Sequence, residues 1–401
     1  MIKRILPVLT AMLMLPLLWS CSEDNPEPPV PQGPMDRVER TVLMYAVASN
    51  SLSYNLDLDM KEIQQVAASL DLKKSRLLVY SVQLDPKTGE TMQPKLQRLV
   101  KMSYGYDFQT IKEYDSLNRS TDTERIAAVI ADVEYLSPSD KYGLILWSHS
   151  DAWLPSPTWT ASDTMQYAFG QDKDGKVSHY CEMPDLAATI PAGMFDFIWF
   201  DSCYMANVET LYQFRGKADY LVGSVTELSE YGMPYDVTLP ELLKKDVNLV
   251  QTAALEYNTY ITQTNSPFTI SVLDLSKVEN LADITARCYS DFKYLDGTTG
   301  LQCYSRRVNP ALYDFGQYTR EIIRQNHPDT SEQLLTEFQK ALDEVVVYKA
   351  CTDKSFTGYP INRVNYSGLS CHRLSCDMTL KGEVFYRALD WYKRVYGDQK
   401  P

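Results

Sequence analysis

The chain has 401 residues, 44% hydrophobic and 11% aromatic, enough for one large domain or two smaller ones with real cores. Its formal charge of −13 and the lack of any Lys/Arg cluster exclude the basic surface that a nucleic-acid partner requires.

Residues 1–20 read as a targeting segment. Lys3 and Arg4 precede an apolar run from Ile5 to Leu18, and "LWSC" closes it at Cys21. The pattern resembles a bacterial lipobox, which implies that 1–20 is a lipoprotein signal peptide and that Cys21 is the lipidated first residue of the mature protein. An ordinary secretory signal is the alternative. The next stretch, "SEDNPEPPVPQGP", has five prolines, three acids and no apolar periodicity, so 21–38 reads as an extended tether. Ser22-Glu23-Asp24 resembles the export tag of Bacteroidetes surface lipoproteins, which implies a surface-exposed outer-membrane location. No other apolar run approaches the ~20 residues of a spanning helix, so the mature chain is expected to be anchored rather than inserted.

From residue 38 strands and helices alternate. "RTVLMYAVAS" (40–49) and "SRLLVYSVQL" (75–84) are apolar and β-branched, and Leu56, Met60, Ile63, Val66, Ala67 and Leu70 keep helical spacing between them. "QPKLQRLVKM" adds a strand, and 121–136 a helix opened by a capping box of Thr121 and Glu124. Two nearly unbroken apolar strands follow, "YGLILWSH" and "FDFIWFDSC", with a short helix around "MPDLAATI" before the second. "ADYLVGSV" and "FTISVLDL" supply later strands. Continuous apolar runs suit strands buried on both faces of a mostly parallel sheet flanked by helices, which places the chain in the α/β class.

In open α/β sheets the ligand site lies beyond the carboxyl ends of the strands. Of four histidines, His149 ends one buried strand, and Cys203 ends the next. Taken singly, each is more often a structural residue than a catalytic one. Other candidates are weaker. "DKDGK" (172–176) has half the look of a calcium loop but carries Met183 at the twelfth position, so it reads as a solvent loop. Cys371, His372 and Cys376 lack a second close pair to complete a metal site. With Cys21 and Cys203 set aside, six cysteines remain, an even number that leaves disulfides open, Cys371 and Cys376 being nearest in sequence.

"LILWSHSDAW", "FDFIWFDSCYMANVE" and "DYLVGSVTELSEYGMPY" together resemble the clostripain family of cysteine peptidases over roughly residues 40–275, with late similarity in "NYSGLSCH" and "FYRALDWYKRVYG". The resemblance implies a caspase-like core over 39–276, with 277–401 a helix-rich C-terminal region packed on it. It also implies an endopeptidase using a His149/Cys203 dyad, with backbone N–H groups of Ser150 and Cys203 holding the oxyanion. Ser150 stands where the family has glycine. Asp201, two residues before Cys203 and so on the same strand face, would bind a basic side chain on the acyl side of the scissile bond. At the family's second pocket acid this chain has Tyr231, beside Glu230, so the basic preference is expected to be relaxed. Self-cleavage is implied in the loop joining the catalytic strands, which offers Lys173 and Lys176.

The expected partners are a peptide or protein substrate and, through the lipid, a membrane. The chain is expected to act as a monomer. No metal ligand set is assigned, and a calcium requirement stays open. A non-catalytic surface-binding lipoprotein that keeps the fold is the alternative function; a glycosidase ranks third, because 52 acids give accidental carboxylate pairs and nothing singles one out.

Overall fold

The computed structural model describes residues 27–156, 168–175, 177–290, 295, 300–305, 312–373 and 380–397. The strands are β1 Val38–Ala48, β2 Ser75–Gln83, β3 Lys95–Met102, β4 Gly105–Glu113, β5 Ser139–Trp147, β6 Phe169–Asp174, β7 Val177–Cys181, β8 Phe195–Asp201, β9 Ala218–Gly223, β10 Thr269–Asp274, β11 Cys303–Ser305, β12 Leu312–Asp314, β13 Val346–Cys351 and β14 Ser370–His372. Nine of them form one sheet in the order β13-β10-β9-β8-β5-β1-β2-β3-β4. The five central strands, β9-β8-β5-β1-β2, pair in parallel. β10 and β3 reverse direction at either flank, and β13 and β4 reverse again, so seven of the nine strands point the same way.

Alternation along β1 shows how the sheet is buried twice over. Leu43, Tyr45 and Val47 face a core shared with the helices α2 Thr123–Leu136, α3 Met183–Thr189 and α4 Val208–Gln213. Val42, Met44, Ala46 and Ala48 face a second core with α1 Ser53–Val66, α5 Tyr235–Leu242 and α6 Leu249–Thr259. This is why the central strands carry no polar alternation. At Gly143 on β5 an added Cβ would meet the Phe197 ring at 2.2 Å, so the glycine makes room for an aromatic on the adjacent strand.

The region after residue 277 is rich in helix: α7 Val278–Cys288, α8 Phe315–Asn326, α9 Ser331–Val345, α10 Leu380–Ala388 and α11 Asp390–Val395. Helices α7 to α9 and α11 bury Leu281, Ile322, Leu342 and Trp391 in the first core. The same region adds β13 to the edge of the main sheet, where Ile270 of β10 stands opposite Ala350. β14 reaches back to the turn before α4, the Ser370 N–H donating to the Ala206 carbonyl at 2.9 Å.

Two local expectations are corrected. The helix at 123–136 has no capping box: Asp122 is its N-cap residue and makes no side-chain cap bond. Thr121 is buried instead with its methyl near Gly170, and Glu124 accepts from the Thr123 hydroxyl. The 172–176 stretch is not a plain solvent loop over its described residues. Residues 172–174 belong to β6, which pairs with β7, and the buried Asp172 carboxylate accepts from Ser49 Oγ at 2.7 Å and the Ser120 N–H at 2.6 Å. Cys371 carries a free, buried thiol, and Cys376 lies outside the described residues. Among the described residues no helix is long and apolar enough to cross a membrane.

Candidate active site

Trp147 and Asp201 are partners in the parallel register of β5 and β8. His149 and Cys203 each follow two residues later, so both leave the sheet in step at its carboxyl edge. They line one cavity of about 280 Å³ together with Ser51 and Leu52 after β1, the Glu227–Glu230 loop after β9, and Phe356 and Thr357 from the C-terminal region.

The His149 Nε2 atom sits 2.9 Å from Ser51 Oγ. Burial, and secondarily the Lys173 ammonium, push the imidazole pKa down to about 4, so it is neutral at pH 7 when the cavity is empty. Cys203 is partly exposed, and the Leu228 N–H donates to its Sγ at 3.4 Å. Tyr204 follows in the left-handed region with φ +62°, a strained conformation for a non-glycine residue. Two hydrogen bonds hold that turn: Tyr204 N–H to the Thr226 carbonyl at 3.0 Å and Asn207 Nδ2 to the Tyr204 carbonyl at 2.8 Å. Asn207 also caps α4 by accepting from the Thr210 N–H at 2.8 Å. The helix thus begins at Val208, beyond the cysteine.

Ser150 is fully buried and ties the loops after β5 and β8 together, its Oγ donating to the Cys203 carbonyl at 2.6 Å. Its φ does not fall in the left-handed region, so the backbone makes no demand for glycine there.

Asp201 is buried at the cavity floor. Its Oδ2 accepts from the Met233 N–H and from Tyr235 OH, both at 3.0 Å. Burial pushes its pKa up to about 6, against those two donors, which pull it down. Glu230 lines the cavity, but Tyr231 does not. The Tyr231 side chain is 59% exposed, because the turn ending at Gly232 (φ +61°) carries it outward. Tyr231, expected at the position of the second pocket acid, therefore does not line the cavity.

Four residues at or beside the site escaped the sequence reading. Trp147 and Ser51 were hidden because buried strands and loops carry no functional periodicity. Thr357 comes from over a hundred residues downstream and donates to Glu227 Oε2 at 3.0 Å. Asp59 had a visible signal, since an acid stands between Leu56 and Ile63 at a core position of α1. Of the two lysines expected at a self-cleavage site, Lys173 lies within β6, its N–H bonded to the Ser49 carbonyl and its carbonyl to Thr91 Oγ1; Lys176 is outside the described residues. Among the described residues no three His, Cys, Asp or Glu side chains are grouped to hold a metal ion.

Over residues 44–366 the sequence matches the clostripain family. A secreted C11 cysteine protease from Bacteroides thetaiotaomicron, solved with an irreversible peptide inhibitor, is 29% identical at a TM-score of 0.75, covering 90% of this chain and 100% of its own. An inactive zymogen C11 protease from Parabacteroides distasonis is also 29% identical at a TM-score of 0.75, covering 90% of this chain and 99% of its own. No curated protein matches the chain.

Proposed function

Because this chain belongs to the clostripain family and is a cysteine peptidase with a caspase-like fold, we propose that Cys203 and His149 are its catalytic dyad and that it cleaves after basic residues. The supporting observation is the buried Asp201 carboxylate on the floor of the cavity that His149 and Cys203 line. No ion pair among the described residues reaches it. A buried acid without a cation of its own is costly, and a substrate lysine or arginine supplies one.

In this reading Cys203 Sγ attacks the scissile carbonyl carbon while its proton passes to the His149 imidazole. The resulting oxyanion is held by backbone N–H groups, Ser150 and Cys203 being the candidates. As the C–N bond breaks, His149 gives the proton to the leaving amine, and a thioester remains on Cys203. Water deprotonated by His149 then attacks that thioester; the C–S bond breaks, the acyl group leaves as a carboxylic acid, and the imidazolium returns its proton to Cys203 Sγ. An imidazole that is neutral at rest suits this order, since it must first accept a proton.

The chain further reads as a surface-exposed outer-membrane lipoprotein held by lipid on Cys21, acting as a monomer; Cys21 lies outside the described residues. The site assignment is tested by profiling a diverse peptide library with the full chain and its Cys203→Ala and Asp201→Asn forms. Loss of all cleavage in the first and loss of the basic preference in the second are expected. Failure of the parent to cleave any peptide, with Cys203 inert to iodoacetamide, would overturn it.

A further inference from the structure

A second buried acid, Asp59 of α1, lies beside Asp201; its role rests on the reading of Asp201 as the floor of the pocket for a basic side chain. Asp59 is 3% exposed and accepts from Trp147 Nε1–H at 2.8 Å, and Trp147 itself lines the cavity. Gly232 lines it too. A Cβ built on Gly232 would stand 3.2 Å from Asp201 Oδ2 and 3.4 Å from Asp59 Oδ2. Carboxylates from two different elements thus converge on the one point of the lining where the backbone carries no side chain, and φ +61° keeps that point free of one.

Among the described residues no ion pair reaches either acid. The titratable groups acting on the two are Glu62 from α1, Tyr235 from α5, and Glu256 and Tyr260 from α6 and the turn that follows, all acids or neutral phenols. The Glu256 Oε2 atom is itself buried without a hydrogen-bond partner. Burial first, and then the charge on Asp201, hold the Asp59 carboxyl above the usual range, so the empty pair retains a proton.

We infer that Asp59 is a specificity-determining residue of this peptidase, receiving with Asp201 the ammonium or guanidinium of the residue on the acyl side of the scissile bond. As the cation enters, the retained proton leaves to solvent, and two acids face one or two donor groups in the geometry charge-assisted hydrogen bonds favour.

The test compares kcat/KM of the full chain on peptides matched except for lysine or norleucine at the cleavage position, from pH 5 to 8. Asp59→Asn is expected to lower the lysine-over-norleucine ratio about tenfold at pH 8 and to flatten the fall of the lysine KM with rising pH. A parent-like ratio in Asp59→Asn, with a reduced ratio in Asp201→Asn, overturns the role of Asp59 and leaves the basic pocket standing. An unchanged ratio in Asp201→Asn overturns the pocket itself. Should Asp59→Asn fail to fold, Trp147→Phe removes the one indole donor that favours ionised Asp59. The midpoint of the KM–pH curve is then expected to move to higher pH, and an unmoved midpoint overturns the inference.

Discussion

Trp147 and Asp201 face each other across neighbouring parallel strands, and from that single pairing follow the positions of both residues assigned to catalysis two steps further along. The register brings the loops that carry His149 and Cys203 off the sheet at the same edge, and Ser150 Oγ bonded to the Cys203 carbonyl holds those loops together. Cys203→Ala is expected to abolish cleavage, and His149→Ala to lower kcat by roughly 10²–10⁴ while Cys203 remains alkylatable. Steady-state kinetics on the best library peptide, with intact mass after iodoacetamide, checks both; an active Cys203→Ala form would place the nucleophile elsewhere.

Ser150 is a joint between the loops that carry His149 and Cys203. Its hydroxyl bonds the Cys203 carbonyl and its backbone does not occupy the glycine region. Reverting it to the family residue, Ser150→Gly, is therefore expected to bring no gain in kcat/KM and to cost about 1–2 kcal/mol in stability, the size of one buried hydrogen bond plus added backbone freedom. Urea unfolding and kinetics of the two forms measure this. A large rise in activity would mean that the serine side chain obstructs the substrate carbonyl.

Cys21 sits at the end of the apolar leader and before a proline-rich tether. One acylated cysteine carrying more than one chain is enough for stable anchoring, so Cys21→Ala is expected to move the protein from the detergent phase to the aqueous phase or to stall its maturation. Equal partitioning of parent and mutant in a detergent phase separation would remove the lipid from the proposal.

How much of this was legible beforehand depended on whether a residue's role followed from periodicity. The unbroken apolar runs of β5 and β8 announced strands buried on both faces, and His149 and Cys203 were visible just past their ends. Tyr231 was misjudged because a turn through a left-handed glycine has no side-chain period, so its outward direction could not be read. The apparent capping box at Thr121 failed for a tertiary reason, the hairpin residue Gly170 taking up the threonine methyl. The sheet gains β13 from "VVYKAC", which in isolation is indistinguishable from any short apolar stretch. Asp59 was readable as an acid on the buried stripe of α1, but its significance required knowing that α1 lies beneath Trp147 and Asp201.

Glu209, in the first turn of α4, is the group through which the pH dependence of stability can be read most cleanly. It is fully buried; its Oε1 accepts from the His372 N–H at 2.7 Å and from Tyr386 OH at 3.2 Å, while Oε2 has no partner. Burial pushes its pKa up to about 7, against the His372 N–H, its own backbone N–H and the Tyr386 hydroxyl, which pull it down. His372 beside it offers no countercharge, because burial depresses its imidazole to about 3 and keeps it neutral. A carboxyl whose folded pKa lies above its unfolded value favours the folded state when protonated. Its contribution is complete below about pH 4.5 and is lost as pH rises through about 7. Glu209→Gln keeps an acceptor for His372 and Tyr386 without the charge. It is therefore expected to match the parent below pH 4.5 and to exceed it by roughly 3 kcal/mol at pH 8. Denaturant unfolding of both forms at pH 4.5 and pH 8 isolates this residue from Asp201 and Glu256, which titrate equally in the two proteins. A difference that stays constant across that range would show that Glu209 does not change protonation on folding, and that its value to the turn behind Cys203 lies in geometry alone.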